Sequence, residues 1–555
     1  MVGWPSSSPA SPSSGSAIAR PDPQTMKNRW LPPLKTTLVL LALLVFLGYL
    51  AVYLTYAAAL FRWPFDYDQG EGFELYDAVL YSRGEWPYRD NATFPFYASN
   101  YPPLFHLLIV PLLPIFGPRL VAGRLISFAA TLITGAAIGW VVHREAREAD
   151  LPPLYTHVLP ALSGLAFLSS NIVYQIGPLC RLHMTMVMFE TLAVAAIAGF
   201  QHPRHGRRNL LLGLLFLLCA GYTKQLAVFT VAAALGFVFL RDVRKALLAG
   251  AALAVVAGGI FLLIDRATGG QWTINIIHAN VNEFDYRQTL VFLWQWLRLH
   301  PVLILLAMGL LAYELYWDRL SVYAVWFVFA MGMGLLSGKW GAGPAYFTTS
   351  IAAACAMAGR ALVRLGKGLP RRWPRLREAI PLLVPVLFLI QAPFTLHLPT
   401  EGPVFGPLAR ALGVADRSVQ GDCTSFAYYD SGGYTQLGHL LTPQDYQAGE
   451  RILAYVRAAD GPPFSEEAAF SLLTSRPVVT NPTQLLNLYK NDLLDTSEII
   501  RRIEAEEFGV VVFRAQFYPQ PVLEAIGQHY RPVEHICMNG FYYHILLPNR
   551  LLGEE

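Results

Sequence analysis

The sequence predicts a mostly α-helical, polytopic membrane bundle of about 11 transmembrane helices, followed by a small α/β domain. Three observations predict it. The 555 residues are 54% hydrophobic and only 14% charged, with a mean hydropathy of +0.38. A soluble globular chain carries about 25% charge, so this one has lipid as its solvent. Apolar stretches then recur at 38–60, 120–142, 154–170, 182–200, 210–221, 225–240, 246–264, 289–316, 320–336, 345–363 and 378–396. Finally, charge is segregated. Residues 400–555 hold 11 Lys/Arg and 19 Asp/Glu, a net −8, against +12 in the remainder.

Residues 1–36 are rich in Ser, Pro and Ala at their start and read as a disordered cytoplasmic tail. The stretch 38–60 exceeds a signal-peptide core and reads as an uncleaved anchor, although Ala57-Ala58-Ala59 mimics a cleavage site. The stretches 210–221 and 225–240 are short and read as a tight hairpin around Tyr222-Thr223-Lys224. With the N-terminus inside, Arg144 and Arg147, then Arg204, Arg207 and Arg208, then Arg241, Arg244 and Lys245, then Arg319, then the run from Arg364 to Arg377 all fall on the cytoplasmic side. Outer loops keep isolated cations: Arg181, Lys224, Arg266, Arg287 and Lys339. Leu104–Phe116 is too short to span about 30 Å of hydrocarbon and contains Pro111 and Pro114, so it is expected to lie on the outer surface. The expected location is therefore the inner or plasma membrane, multi-pass, with the C-terminal part exoplasmic. The basic residues are scattered over short loops, which excludes a nucleic-acid-binding surface.

The chain divides into the tail 1–36, a transmembrane domain 37–397 with a first outer loop 61–119, and a soluble domain 398–555. In the last, 476–480, 509–513 and 541–547 read as short buried strands, and 446–458, 496–507 and 519–529 as helices. It has no glycine-rich nucleotide fingerprint. Cys423 and Cys537 are its two cysteines and can pair in an oxidising compartment. Cys180, Cys219 and Cys355 fall in or beside apolar stretches and read as packing residues.

The first outer loop opens with Phe65-Asp66-Tyr67-Asp68-Gln69-Gly70-Glu71. Charge beside a membrane exit is costly unless it works. Asp66, Asp68 and Glu71 suit two tasks: deprotonating an acceptor hydroxyl, since repulsion between acids raises one pKa, or holding Mg²⁺ or Mn²⁺, with Asp68 and Glu71 as ligands. A merely solvated acidic loop is the bland alternative. Arg181, Lys224 and Lys339 lie beside the outer ends of spans. Each alone reads as a snorkelling side chain; together they suit a phosphate. Tyr101, in Asn100-Tyr101-Pro102-Pro103-Leu104, and His278, Asn280 and Glu283 in the third outer loop are candidate substrate contacts, with an ordinary interfacial loop as the alternative. His183 reads as a packing histidine. No triad, HExxH or CxxC arrangement supports protease or redox chemistry.

Asp68-x-x-Glu71, then Ser82-Arg83-Gly84-Glu85-Trp86-Pro87-Tyr88-Arg89-Asp90, Tyr101-Pro102-Pro103-Leu104 and Gly123-Arg124-Leu125 resemble the GT-C superfamily of polytopic glycosyltransferases, in particular its bacterial protein mannosyltransferase and aminoarabinose transferase branch. Gly221-Tyr222-Thr223-Lys224-Gln225 and Lys339-Trp340-Gly341, with Pro344-Ala345-Tyr346-Phe347, fit as well. The resemblance covers about 37–365 and implies a lipid-linked sugar donor, an acceptor met at the outer face, and a catalytic carboxylate in the first outer loop. By motif position Asp68 is the expected base, with Glu71 in support and Asp66 as the alternative. Where the family often has Arg-x-Asp, this chain has Arg181-Leu182-His183. The expected activity is transfer of a sugar from a polyprenyl-phosphate donor to a hydroxyl of a glycan, lipid or protein, with inversion. A transporter or flippase of a lipid-linked or anionic solute is the alternative; it would show repeated spans with charges at mid-membrane, and the distinctive charges here sit at span ends.

Overall fold

All the apolar stretches expected to cross the membrane are helical in a computed structural model of the chain, which describes residues 23–368, 374–395, 404–411, 423 and 440–553. The first helix runs Pro23–Arg62 and so begins inside the stretch expected to be tail; residues 1–22 lie outside the described residues. Among the described residues, four helices are long and apolar enough to cross a bilayer alone: Pro33–Arg62, Val121–Glu148, Val243–Ala267 and Pro344–Lys367. Shorter apolar helices, among them Leu154–Leu168, His183–Ile197, Gln225–Phe239 and Val322–Gly338, pack between them.

The expected span 289–316 is corrected to two helices. Tyr286–Leu299 and Pro301–Tyr316 meet at 93°. Pro301 has no N–H to continue the ladder, and His300 leaves the helical backbone at φ −128°. Its ring is tied down at the corner, Nε2 lying 2.7 Å from Ser170 Oγ and Nδ1 lying 2.9 Å from the Trp296 carbonyl.

Two helices organise the bundle. Pro344–Lys367 is its interior post, 89% buried over its apolar window and rich in alanine between Ala352 and Ala361. Val121–Glu148 lies beside it and crosses Leu159–Leu168 so closely that a methyl group added to Gly164 would sit 2.5 Å from the Gly135 carbonyl oxygen. Small residues are what allow two backbones to approach like this in lipid. Val243–Ala267, only 11% buried, faces outward. The chain is a multi-pass membrane protein.

The C-terminal domain is a four-stranded sheet in the order β1-β2-β4-β3, with helices around it. β1 (Pro463–Ser465) pairs parallel with β2 (Val510–Phe513), in the register Phe464 opposite Val511. β3 (Tyr530–Met538) and β4 (Phe541–Pro548) form an antiparallel hairpin whose inner strand pairs with β2. The expected strand at 476–480 is corrected to a loop. Val478 and Val479 are buried in two separate apolar clusters, and only Thr480 makes an isolated bridge, to Phe96. Cys423 and Cys537 form a disulfide, with Cα atoms 5.7 Å apart.

Candidate active site

The loop after the first helix is shaped by one buried cation. Arg124 projects from the start of Val121–Glu148 and donates to the carbonyls of Leu60, Trp63 and Phe65 at 2.5, 2.6 and 2.9 Å. Its remaining bonds go to Glu71, at 2.8 Å to Oε1 and 2.7 Å to Oε2. Glu71 also accepts from the backbone amides of Tyr67, Asp68 and Cys180. Burial opposes its charge, but Arg124 and these amides outweigh it and hold the carboxyl below the usual range. Glu71 is thus a clamp. Both its oxygens are taken, so the expected pairing of Asp68 and Glu71 around Mg²⁺ or Mn²⁺ does not fit this arrangement.

Asp66 is turned toward the C-terminal domain. It accepts from the amides of Gly72 at 2.5 Å and Ala469 at 3.3 Å. Burial, with Glu467 and Glu71 nearby, pushes its pKa well above the usual range.

Asp68 is differently placed. Its Oδ2 receives Arg181 through Nε at 2.7 Å and Nη2 at 2.6 Å. No hydrogen bond to its Oδ1 occurs among the described residues. Burial raises its pKa against the opposing pull of Arg181. Gly70 makes this pairing possible: its φ is +102°, and a Cβ there would lie 2.9 Å from the Arg181 guanidinium. Arg181 also reaches Glu74 at 3.5 Å. From Glu74 the charges continue to His106 Nε2 at 2.7 Å and to Asp77, 3.5 Å from the same nitrogen. Burial pushes Asp77 up to about 6, partly offset by His106; Tyr97 donates to it at 2.7 Å. His106 is held above its usual range because Asp77 and Glu74 outweigh the burial that opposes its charge. Glu74, Asp77 and His106 are the group of described residues whose ligand atoms, all within 4.8 Å of one another, suit a metal ion.

Lys224 stands at the hairpin tip as expected, in extended backbone between Gly206–Thr223 and the 3₁₀ turn Gln225–Ala227. Its Nζ lies over the rings of Tyr101 and Tyr346, 4.8 and 5.7 Å from their centroids. It is also 2.8 Å from His183 Nε2, so His183 is a site neighbour and more than packing. Burial, helped by Arg181 and Lys339 and opposed by Glu74, lowers the Lys224 pKa to about 7. Lys339 is partly buried in a loop bridged to Phe284, and burial lowers its pKa too.

The structure therefore brings Asp68, Arg181, Lys224 and Tyr101 into one cluster with Glu74, and Lys339 is close enough to weigh on Lys224. It does not bring in Glu283, which is exposed and pairs with Lys490 of the C-terminal domain at 3.3 Å. His278 is exposed. Asn280 is spent on backbone, donating to the Ile276 carbonyl at 3.0 Å and the Asn100 carbonyl at 3.5 Å. Sequence reasoning missed the work of Arg124, Glu74, Asp77 and His106. An arginine inside an apolar stretch, and acids spaced by three from Glu71, were the signals.

The C-terminal domain closes over this loop. Asn539 donates to the Tyr67 carbonyl at 3.0 Å, Asn481 to Ala98 at 3.1 Å and Gln484 to Asn275 at 2.8 Å, and Phe470 meets Phe65 with ring centroids 5.5 Å apart.

No protein-family model matches the chain, and no curated protein matches its sequence. Solved structures do match its fold. ArnT from Cupriavidus metallidurans in the apo state is 14% identical with a TM-score of 0.57, over 92% of this chain and 99% of that one. The same protein bound to undecaprenyl phosphate is 15% identical with a TM-score of 0.54, over the same 92% and 99%. The archaeal oligosaccharyltransferase AglB from Archaeoglobus fulgidus, in complex with an inhibitory peptide and a dolichol-phosphate, is 11% identical with a TM-score of 0.48, over 90% of this chain and 74% of that one. The chain has the fold of ArnT, as the resemblance to the GT-C superfamily implies.

Proposed function

We propose that this protein is an integral membrane glycosyltransferase that moves a hexosyl or pentosyl group from a polyprenyl-phosphate donor to an acceptor hydroxyl at the outer face of the inner or plasma membrane, with inversion. The carrying observation is the convergence of an acid with an open oxygen, Asp68, and two cations, Arg181 and Lys224, at one end of the bundle. Asp68 Oδ1 takes the proton of the acceptor hydroxyl. The hydroxyl oxygen forms a bond to the anomeric carbon from the face opposite the donor phosphate. The bond from that carbon to the phosphate oxygen breaks, and the phosphate keeps the electron pair. Lys224 and Arg181, with Lys339 at the margin, meet its charge. Tyr101 and Tyr346 hold the lysine side chain in place. One base facing the leaving group matches single displacement.

The likeness to ArnT bound to undecaprenyl phosphate supports a polyprenyl-phosphate ligand. A glycan, a lipid or a protein is the acceptor class. For a divalent cation the ligand set is Glu74, Asp77 and His106, and loss of turnover in EDTA, restored by Mg²⁺ or Mn²⁺, is its sign.

The test is transfer of radiolabelled sugar from synthetic polyprenyl-phosphate sugars by the purified full chain. Asp68→Asn is expected to lower turnover by about 10²- to 10⁴-fold, the usual worth of a positioned base. Undiminished turnover in Asp68→Asn overturns the assignment.

A further inference from the structure

At the end of the bundle opposite the candidate active site lies a polar cavity of about 240 Å³. Arg124 and Arg144 lie on the same helix, 20 residues apart, so the two sites are separated by about 30 Å, roughly a hydrocarbon thickness. The cavity lies between the C-terminal turns of Val121–Glu148 and Thr348–Lys367 and the start of Val322–Gly334. Its lining carries four cations, Arg144, Arg360, Arg364 and Lys367, against two carboxylates, Glu145 and Glu148.

The four cations are not equally occupied. Arg360 is a structural group: it pairs with Glu145 at 2.5 Å and Glu314 at 3.3 Å, bonds Ser321 Oγ at 2.7 Å, and lies over the Tyr323 ring at 4.7 Å. Arg364 pairs with Glu145 at 2.9 Å and Asp318 at 3.0 Å. Among the described residues, the one ion pair of Arg144 is a long contact of 3.6 Å to Glu148, and Lys367 forms none. Tyr323, only 5% exposed, also lines the cavity, and its hydroxyl has no hydrogen-bond partner among the described residues. A buried hydroxyl without a partner is costly and points to a ligand group that satisfies it. The volume corresponds to about eight waters, which is ample for a phosphate group.

The cavity adjoins an open groove that shares Arg144 and Glu148 and adds Trp140, His143 and Arg147. Trp140 is 51% exposed, and Arg144 stacks on it at 5.1 Å. An exposed tryptophan beside arginines at a helix end is the pattern of a headgroup-level membrane interface, and basic pockets between helices there take lipid phosphates.

We propose that this cavity is a phosphate-binding site distinct from the candidate active site, with the phosphate supplied by an anionic phospholipid headgroup or by a free phosphate compound. Arg144 and Lys367 are the cations that meet it, and Tyr323 is the neutral donor. Occupancy would fasten together the ends of the two helices whose other ends carry Arg124 and the loop of Lys339.

The experiment uses the delipidated full chain. Retention of phosphatidylglycerol and of phosphatidylcholine is measured by native mass spectrometry, and protection by inorganic phosphate by thermal unfolding. The wild type is expected to retain phosphatidylglycerol at least tenfold better than the Arg144→Ala/Lys367→Ala variant, whereas Arg144→Lys/Lys367→Arg retains it. Lys224→Ala, altered at the other site, is expected to retain it as well. If inorganic phosphate also raises the unfolding midpoint of the wild type and not of the alanine variant, a free phosphate compound is the ligand; if phosphatidylglycerol alone binds, the lipid is. Equal retention of phosphatidylglycerol by the wild type and the alanine variant, or retention of phosphatidylcholine equal to that of phosphatidylglycerol, overturns the proposal when inorganic phosphate does not raise the midpoint of the wild type over that of the variant.

Discussion

Lys224 is buried between two tyrosine rings with a histidine, not a carboxylate, against its ammonium, and this sets its pH behaviour. Its pKa is lowered to about 7 from the ordinary lysine value. Below that pH it is charged; above it, the amine is neutral. An anionic donor stabilises the charged form, so binding at or above neutral pH takes up a proton. Affinity for undecaprenyl phosphate is therefore expected to fall by up to about tenfold per pH unit above 7. Lys224→Arg, which stays protonated, is expected to flatten that dependence; titration calorimetry in buffers of different ionisation enthalpy checks both. Glu71→Gln is expected to destabilise the chain by about 3–5 kcal/mol, because it leaves Arg124 buried without its counter-charge; the unfolding midpoint in detergent measures it. The acidic phrase Asp66-Tyr67-Asp68, with Glu71, stood out in the sequence, but the division of labour among its acids did not. Asp66 answers to Ala469, more than 400 residues away, and Glu71 to Arg124 across a helix interface. No local pattern encodes such partners.

At the scale of elements, the apolar runs were enough to place the apolar helices of the described residues, apart from the split of 289–316, since lipid forces the backbone to satisfy itself. The bend at His300 was legible only as a proline inside an apolar stretch, and length alone hid it. The hairpin of β3 and β4 was half missed, although Asn539-Gly540 marks it. Both residues have positive φ, 52° and 78°, as a type I′ turn requires. β3 itself was obscured because its exposed residues dilute the apolar signal of a strand at the sheet's edge. The crossing of Gly135 and Gly164 carries its own prediction. Gly164→Val would press carbon against the Gly135 carbonyl and is expected to cost about 1–3 kcal/mol, read as a lowered unfolding midpoint.

Across the whole molecule, the C-terminal domain is a roof for the first outer loop, joined to it by side chains from several of its elements. Alkylation without reductant is expected to label Cys180, Cys219 and Cys355 once the protein is unfolded, and to spare Cys423 and Cys537; labelling of all five would contradict the disulfide. Asn539→Ala is expected to lower turnover about five- to tenfold through the loosened loop, the worth of about one hydrogen bond, with no shift in the pH profile. That a helical bundle precedes a small C-terminal sheet was legible from charge and hydropathy. Their mutual seating was not, because it rests on single contacts between residues hundreds of positions apart, such as Asn539 on the Tyr67 carbonyl and Phe470 on Phe65.

That seating has a consequence for anyone exchanging parts between such proteins. The fingertip of the last hairpin rests on the peptide bond adjoining Asp68, so the far end of the polypeptide helps aim the near end. A chimera that imports a foreign C-terminal domain without Asn539 and its neighbours would inherit a helical half whose acid has lost its rest.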